Sequence, residues 1–339
     1  MSGMLEPLRF VLSKKHLRPV RDAIIRFAWR LDPDLSALGW LPADILMSLQ
    51  RRRSAFSWNQ YHKLGNELRK QLENDPEWRQ GAAKSWLVAN GPLNAMKYLR
   101  KPAGRALDFG CGSHFSDSTA IILYLFGADN IDCIDLIELD SGFDSSDSHE
   151  LVHWFEDRIL RGETMLIPGG PKLNRERLDE LHRLAAREKN PESSAKRHKA
   201  IHLIRGDLMK QGWKDGRYDL IFSNAVLEHV TEPQMIFTEL FRLLKPGGVM
   251  HHQIDFKDHR WYSDKEKYPM MGRADSPHGW SDPLTNGLRY GGWKRIVSGL
   301  DGIRMLKSDP HDKDGKSLSP KEAGDENTVF WEFTLRKSP

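Results

Sequence analysis

The residues best suited to chemistry cluster around Ala106-Leu107-Asp108-Phe109-Gly110-Cys111-Gly112, a short apolar run that ends in an acid and two glycines one residue apart. Glycine lacks a Cβ, so such a turn can take strained backbone angles and admit a ligand closely. A glycine turn leaving the first parallel strand of an open α/β sheet is where nucleotide-like ligands bind. Asp135 follows Gly112 by 23 residues, at the end of a second apolar run. A carboxylate there can accept hydrogen bonds from two ribose hydroxyls, or it can cap a helix; Glu138 is the alternative acid. Asp207 and Leu208 follow a third run, and Asn224 closes a fourth. His229, His251, His252 and His259 lie at or beyond the later runs, where an imidazole can take a proton near neutral pH. Strand alternation puts His251 and His252 on opposite faces, so at most one of them faces a cleft.

These residues need a scaffold, and the apolar pattern supplies one. Runs at about 105–109, 130–136, 200–204, 218–223, 248–256 and 329–335 read as strands. Helical periodicity falls between them: Ile121, Ile122, Leu125 and Phe126 on one face, then segments at about 148–160, 174–188, 233–244 and 292–300. Pro246-Gly247-Gly248 is expected to close the helix over 233–244. Strands alternating with helices predict an α/β, doubly wound, mostly parallel sheet. Residues 139–200 are long for a crossover and read as an insertion. The polar stretch from Asp309 to Asn327 reads as a hairpin loop. Residues 1–84 form a helical N-terminal extension, with a basic stretch from Lys14 to Arg30 that leaves room for weak peripheral contact with a membrane surface. The expected division is 1–84 as this extension or cap, 85–305 as the ligand-binding domain, and 306–339 as a C-terminal strand and loop that complete the sheet.

The motifs resemble a known family. Leu107-Asp108-Phe109-Gly110-Cys111-Gly112 is similar to the first motif of class I S-adenosylmethionine-dependent methyltransferases. Tyr218 to Val230 and Phe241-Arg242-Leu243-Leu244-Lys245-Pro246-Gly247-Gly248 resemble the fourth-strand motif and the following turn of the type 11 group. The resemblance covers roughly residues 85 to 305 and implies a seven-stranded Rossmann-like sheet with S-adenosyl-L-methionine as cofactor. It implies that Asp108, Gly110, Cys111 and Gly112 meet the amino acid tail and ribose, and that Asp135 takes the ribose hydroxyls. By the same likeness Asp207 and Leu208 meet the adenine, and Asn224 lies near the sulfonium. The acceptor is expected to be a small molecule or glycan precursor, methylated at oxygen, with His259 or His229 as the base and Asp255 close enough in sequence to orient His259. Trp261, Tyr262, Trp280 and Tyr290 are candidates to line the acceptor pocket. Glu228-His229 resembles the end of a Glu-x-x-Glu-His metal site, but Ala225 stands where the first glutamate would be, so no metal is expected. Ser223-Asn224-Ala225-Val226 also departs from the Asn/Asp-Pro-Pro-aromatic motif of enzymes that methylate adenine in nucleic acids.

Composition narrows the alternatives. At 339 residues the chain can bury a large core, and 39% hydrophobic content is not that of a disordered chain. A net charge of +4 is mild and does not call for a nucleic-acid partner. Two cysteines, Cys111 and Cys133, make neither a disulfide framework nor a zinc pattern, so a reducing cytoplasm is expected. No run approaches the roughly 18 apolar residues of a membrane span, and the N-terminus has no apolar signal core. An NAD-dependent oxidoreductase is the competing enzyme reading, yet Phe115 stands where Gly-x-Gly-x-x-Gly needs its third glycine. A non-catalytic relative that binds a cofactor or a partner is the third.

Overall fold

The computed structural model describes residues 80–112, 117–136, 170–187, 199–257, 270–271 and 285–339. Its elements in chain order are α1 (Gln80–Met96), β1 (Ala106–Phe109), α2 (Ser118–Leu125), β2 (Ile131–Asp135), α3 (Arg175–Arg187), β3 (Ile201–Arg205), β4 (Tyr218–Asn224), α4 (Pro233–Leu243), β5 (Leu244–Asp255), α5 (Tyr290–Ser298), β6 (Ile303–His311) and β7 (Phe330–Lys337). Single 3-10 turns at Leu208–Lys210 and Leu227–His229 follow β3 and β4. The seven strands form one sheet in the order β3-β2-β1-β4-β5-β7-β6, and only β7 runs against the rest. This is the doubly wound Rossmann-like arrangement of the class I methyltransferase fold. The chain goes out from β1 to β2 and β3, then returns to β4 on the other side of β1, which sets a topological switch point between β1 and β4.

Apolar layers cover both faces of the sheet. On one side α1 and α2 pack through Ala89, Leu93, Ile121 and Leu125 against Ala106, Ile131 and Val249. On the other, α4 and α5 pack through Phe237, Leu240 and Trp293 against Ile221, Met250 and Phe333. Fully burying one such large side chain contributes roughly 1.5–3 kcal/mol. Helix α2 is buried on every residue from Thr119 to Leu125, which a helix at the surface could not sustain. It is covered from outside by α3, where Leu178 and Leu181 are buried and Tyr124 donates to Glu180 at 2.7 Å. At the N-terminal end of the sheet Asp132, 1% exposed, accepts from Arg105, Arg217 and the Tyr218 hydroxyl at 2.7–3.1 Å. A buried carboxylate is tolerable only when so paired.

Three expectations change. Strand β5 begins at Leu244, directly after α4, so Pro246-Gly247-Gly248 lies within it. A register shift between Tyr218 and Leu220 absorbs these residues, and Gly247 has φ +76°. Strand β6 was not expected: of its nine residues only Pro310 is buried, so it carries no apolar alternation. It takes in Asp309–His311 from the supposed loop; the rest of that loop is held by hydrogen bonds from Asp314 N and Lys316 N to Asp312. Helix α1 starts before residue 85, and β6 spans residues 303 to 311 in the same sheet as β7. The cap over 1–84, apart from the start of α1, and the helix over 148–160 lie outside the described residues.

Candidate cofactor and acceptor site

The expected ligand residues gather at the carboxyl ends of β1, β2, β3 and β4. The ladder stitches these exits together: Gly110 N donates to Ile134 O at 2.8 Å, Gly206 N to Asp135 O at 2.8 Å, and Ala225 N to Gln253 O at 3.0 Å. Gly112 N donates to Asp135 Oδ2 at 2.9 Å, so the acid at the end of β2 already faces the glycine turn.

The two glycines do different work. Both have positive φ, +77° at Gly110 and +82° at Gly112. A Cβ on Gly110 would come within 2.4 Å of both γ-carbons of Val226, whereas one on Gly112 would meet none of the described residues within 4 Å. Gly110 is therefore required by packing inside the chain. Gly112 turns its N–H onto the Asp135 carboxylate instead.

Burial, and then the nearby Asp135 charge, hold the Asp108 carboxyl well above the usual carboxylate range. Cys111 is pushed up by burial, with Asp108 and Asp135 adding to it, so it stays a thiol. Asp207 caps the 3-10 turn after β3: its Oδ1 accepts from Met209 N at 3.0 Å. Its other oxygen is 3.6 Å from Lys210 Nζ. Leu208 is buried. Asn224 ends β4, half-buried. Ala225 follows with φ +52°, the only non-glycine residue with positive φ among the described residues. Such a conformation costs on the order of 1–3 kcal/mol and persists only where neighbours enforce it. Here Gln253 O holds its N–H, and Val226 is pressed onto Gly110.

The histidines sort less as expected. His229 is half-buried in the 3-10 turn after β4, with its N–H on Val226 O at 2.9 Å. His251 and His252 do point to opposite faces, and both are buried. His251 packs on Gly91 of α1 and meets Thr334 Oγ1 at 3.1 Å. His252 meets Ser223 Oγ at 2.7 Å and packs among Phe237 and Phe333. Burial lowers them to about 4 and about 3. Tyr290 is likewise a core residue, 5% exposed and set edge-on to Trp331. His259, Glu138, Trp261, Tyr262 and Trp280 lie outside the described residues. Among the described residues no group of three or more His, Cys, Asp or Glu could hold a metal ion, and no helix is long and apolar enough to cross a membrane.

Two residues at the site were missed. Leu136, directly after Asp135, is 70% exposed, and Met209, directly after Leu208, is 42% exposed. Large apolar residues open to solvent at neighbouring strand exits are unusual enough to mark a ligand surface. The available signal was their place immediately beyond the expected ligand residues.

Residues 178–251 match the family model described as a methyltransferase domain. The matched stretch holds Asp207, Asn224 and the turn with His229. Over that stretch the chain is similar to this domain, and its strand order is that of the class I methyltransferase fold. A sterol 24-C-methyltransferase from Gibberella zeae is 33% identical to the methyltransferase chain over 49 residues, which is 14% of this chain and only 13% of that protein. The domain is also similar to an S-adenosylmethionine-dependent methyltransferase from Mesorhizobium loti, at 14% identity and a TM-score of 0.38 over 72% of this chain and 95% of that one. The PH0226 protein from Pyrococcus horikoshii gives 14% identity and a TM-score of 0.39 over 78% and 93%. At these scores the two likenesses add nothing to what the strand order shows.

Proposed function

We propose that this chain transfers a methyl group from S-adenosyl-L-methionine to a small-molecule or glycan-precursor acceptor, at oxygen. The observation that carries the cofactor reading is the glycine turn after β1 folded onto the Asp135 carboxylate at the end of β2, with Gly112 N donating to Asp135 Oδ2 at 2.9 Å. That arrangement fits the group: a positive-φ glycine turn brings backbone N–H groups beside an acid suited to paired hydroxyls. Asp135 would hold the ribose, Asp108, Gly110, Cys111 and Gly112 the amino acid tail and its turn, and Asp207 and Leu208 the adenine edge. Leu136 and Met209 offer apolar flanks for the flat base, and Asn224 lies on the acceptor side. When bound, the cofactor supplies an electrophilic methyl group with a good leaving group. The chain is then left to align the acceptor and take the proton of its hydroxyl. His229 or His259 would take that proton. The reading places the protein in the cytoplasm, where the free thiols Cys111 and Cys133 would persist, and gives it no nucleic-acid partner.

Calorimetry with S-adenosylhomocysteine and with NAD tests the cofactor. Binding of the first and not the second is expected; the reverse would overturn the reading. A screen with methyl-labelled S-adenosylmethionine over hydroxylated small molecules then tests the acceptor. Label on carbon, the chemistry printed in the name of the sterol relative, would refute transfer to oxygen.

A further inference from the structure

The loop after β4 is clasped by a segment nearly sixty residues further on. Asn286 donates through Nδ2 to Leu227 O at 2.8 Å and to Val230 O at 3.0 Å, and its own N–H goes to Glu228 O at 2.6 Å. Its Oδ1 accepts from Leu288 N at 3.1 Å. One side chain thus closes the whole 3-10 turn that carries His229. The turn is anchored at its other end as well, because Val226 sits against Gly110 of the glycine turn. A line of contacts runs from the candidate cofactor turn through Val226 and the carbonyls of Leu227, Glu228 and Val230, which flank His229, to Asn286.

We propose that Asn286 is a positioning residue that fixes the His229 turn against the cofactor turn. This rests on the cofactor reading above. An asparagine suits the task because one planar amide gives two donors and an acceptor. Two of its bonds go to carbonyls of a turn that cannot satisfy them by continuing as a helix.

Asn286→Ala removes all three side-chain bonds, and Asn286→Asp keeps the size and the acceptor while losing both donors. The probe is S-adenosylhomocysteine, followed by calorimetry, amide hydrogen exchange and the imidazole carbon resonance of His229, with exposed His202 as reference. In the wild type, ligand addition is expected to move the His229 resonance and leave His202 in place. In both variants the His229 amide should lose protection by about tenfold or more while the β4 amides hold theirs. The response of His229 to ligand should vanish, with affinity kept within about threefold. If Asn286→Ala does not fold, Asn286→Asp decides. Retained protection and response in the variants would overturn the proposal, and so would an equal loss of protection throughout β4. If the wild type does not bind S-adenosylhomocysteine, the cofactor reading falls, and exchange at the His229 amide still decides whether Asn286 holds the turn.

Discussion

Gly110→Ala separates packing from ligand approach in the glycine turn. The substitution meets two costs. Holding alanine at φ +77° costs roughly 1–2 kcal/mol. The new Cβ would also lie 2.4 Å from both γ-carbons of Val226, and overpacking of that kind costs about 1–3 kcal/mol. The sum, about 2–5 kcal/mol, is a large share of a typical 5–15 kcal/mol stability, yet the chain should still fold. Gly112→Ala, with φ +82° and no described residue within 4 Å of the new Cβ, should cost only the backbone part. Urea unfolding of Gly110→Ala, Val226→Ala and the double variant closes a cycle. Because Val226→Ala removes both γ-carbons, the double variant should be more stable than the sum of the singles by about 1–3 kcal/mol. Gly112→Ala should instead lose S-adenosylhomocysteine affinity out of proportion to its stability. Equal destabilisation by the two glycine variants, with an additive cycle, would refute the division of labour.

The two acids of β2 should separate in the same assays. Asp135→Ala is expected to lower S-adenosylhomocysteine affinity about tenfold or more, the loss of charge-assisted hydrogen bonds worth about 1.5–3 kcal/mol; unchanged affinity would remove it from the site. Asp132→Ala leaves Arg105, Arg217 and Tyr218 without their shared acceptor. It should cost about 3–5 kcal/mol of stability with affinity held within threefold. His251 and His252, at about 4 and about 3 in the folded chain, stay neutral there while the unfolded chain takes up protons below about pH 6.5. Their contribution is whole above pH 6.5 and is lost as the pH falls towards 4, on the order of 3 kcal/mol each. Asp108, raised by burial, acts in the opposite sense. The diagnostic in urea unfolding at pH 7, 6 and 5 is therefore a shallower slope in His252→Leu than in the wild type; equal slopes would refute the assignment.

How much could be read beforehand follows from what each element does. Strands β1, β2 and β4 are buried on both faces, so their apolar runs stood out, and the acids and glycines at the strand ends marked the side where the ligand is proposed to bind. Edge strand β6 buries only Pro310 and left no such run. The Pro246-Gly247-Gly248 turn looked like a helix stop because its residues are breakers, but the β5 register has room for them through a shift against β4. Val226 and Asn286 carry no chemistry that a motif reveals; their roles exist only once Gly110 and the turn after β4 are in place.

Residue type alone misled most where one type serves two purposes. Asp132 and Asp135 lie three residues apart on one strand, yet the first is closed off by two guanidinium groups and a phenol while the second accepts from the Gly112 N–H of the glycine turn. His251, His252 and His229 divide the same way. The first two lie inside β5, where alternation sends one to each apolar layer, and only the third stands past a strand end. In a doubly wound sheet the strand interiors belong to the core and the carboxyl exits to the ligand. A side chain in the middle of β5 therefore cannot reach a methyl group held at the β1–β4 switch point, whatever its proton affinity. For the proposed transfer to oxygen, a base would come from the loops that follow β4 and β5, and among the described residues the first of these loops offers His229, in a turn hydrogen-bonded by Asn286.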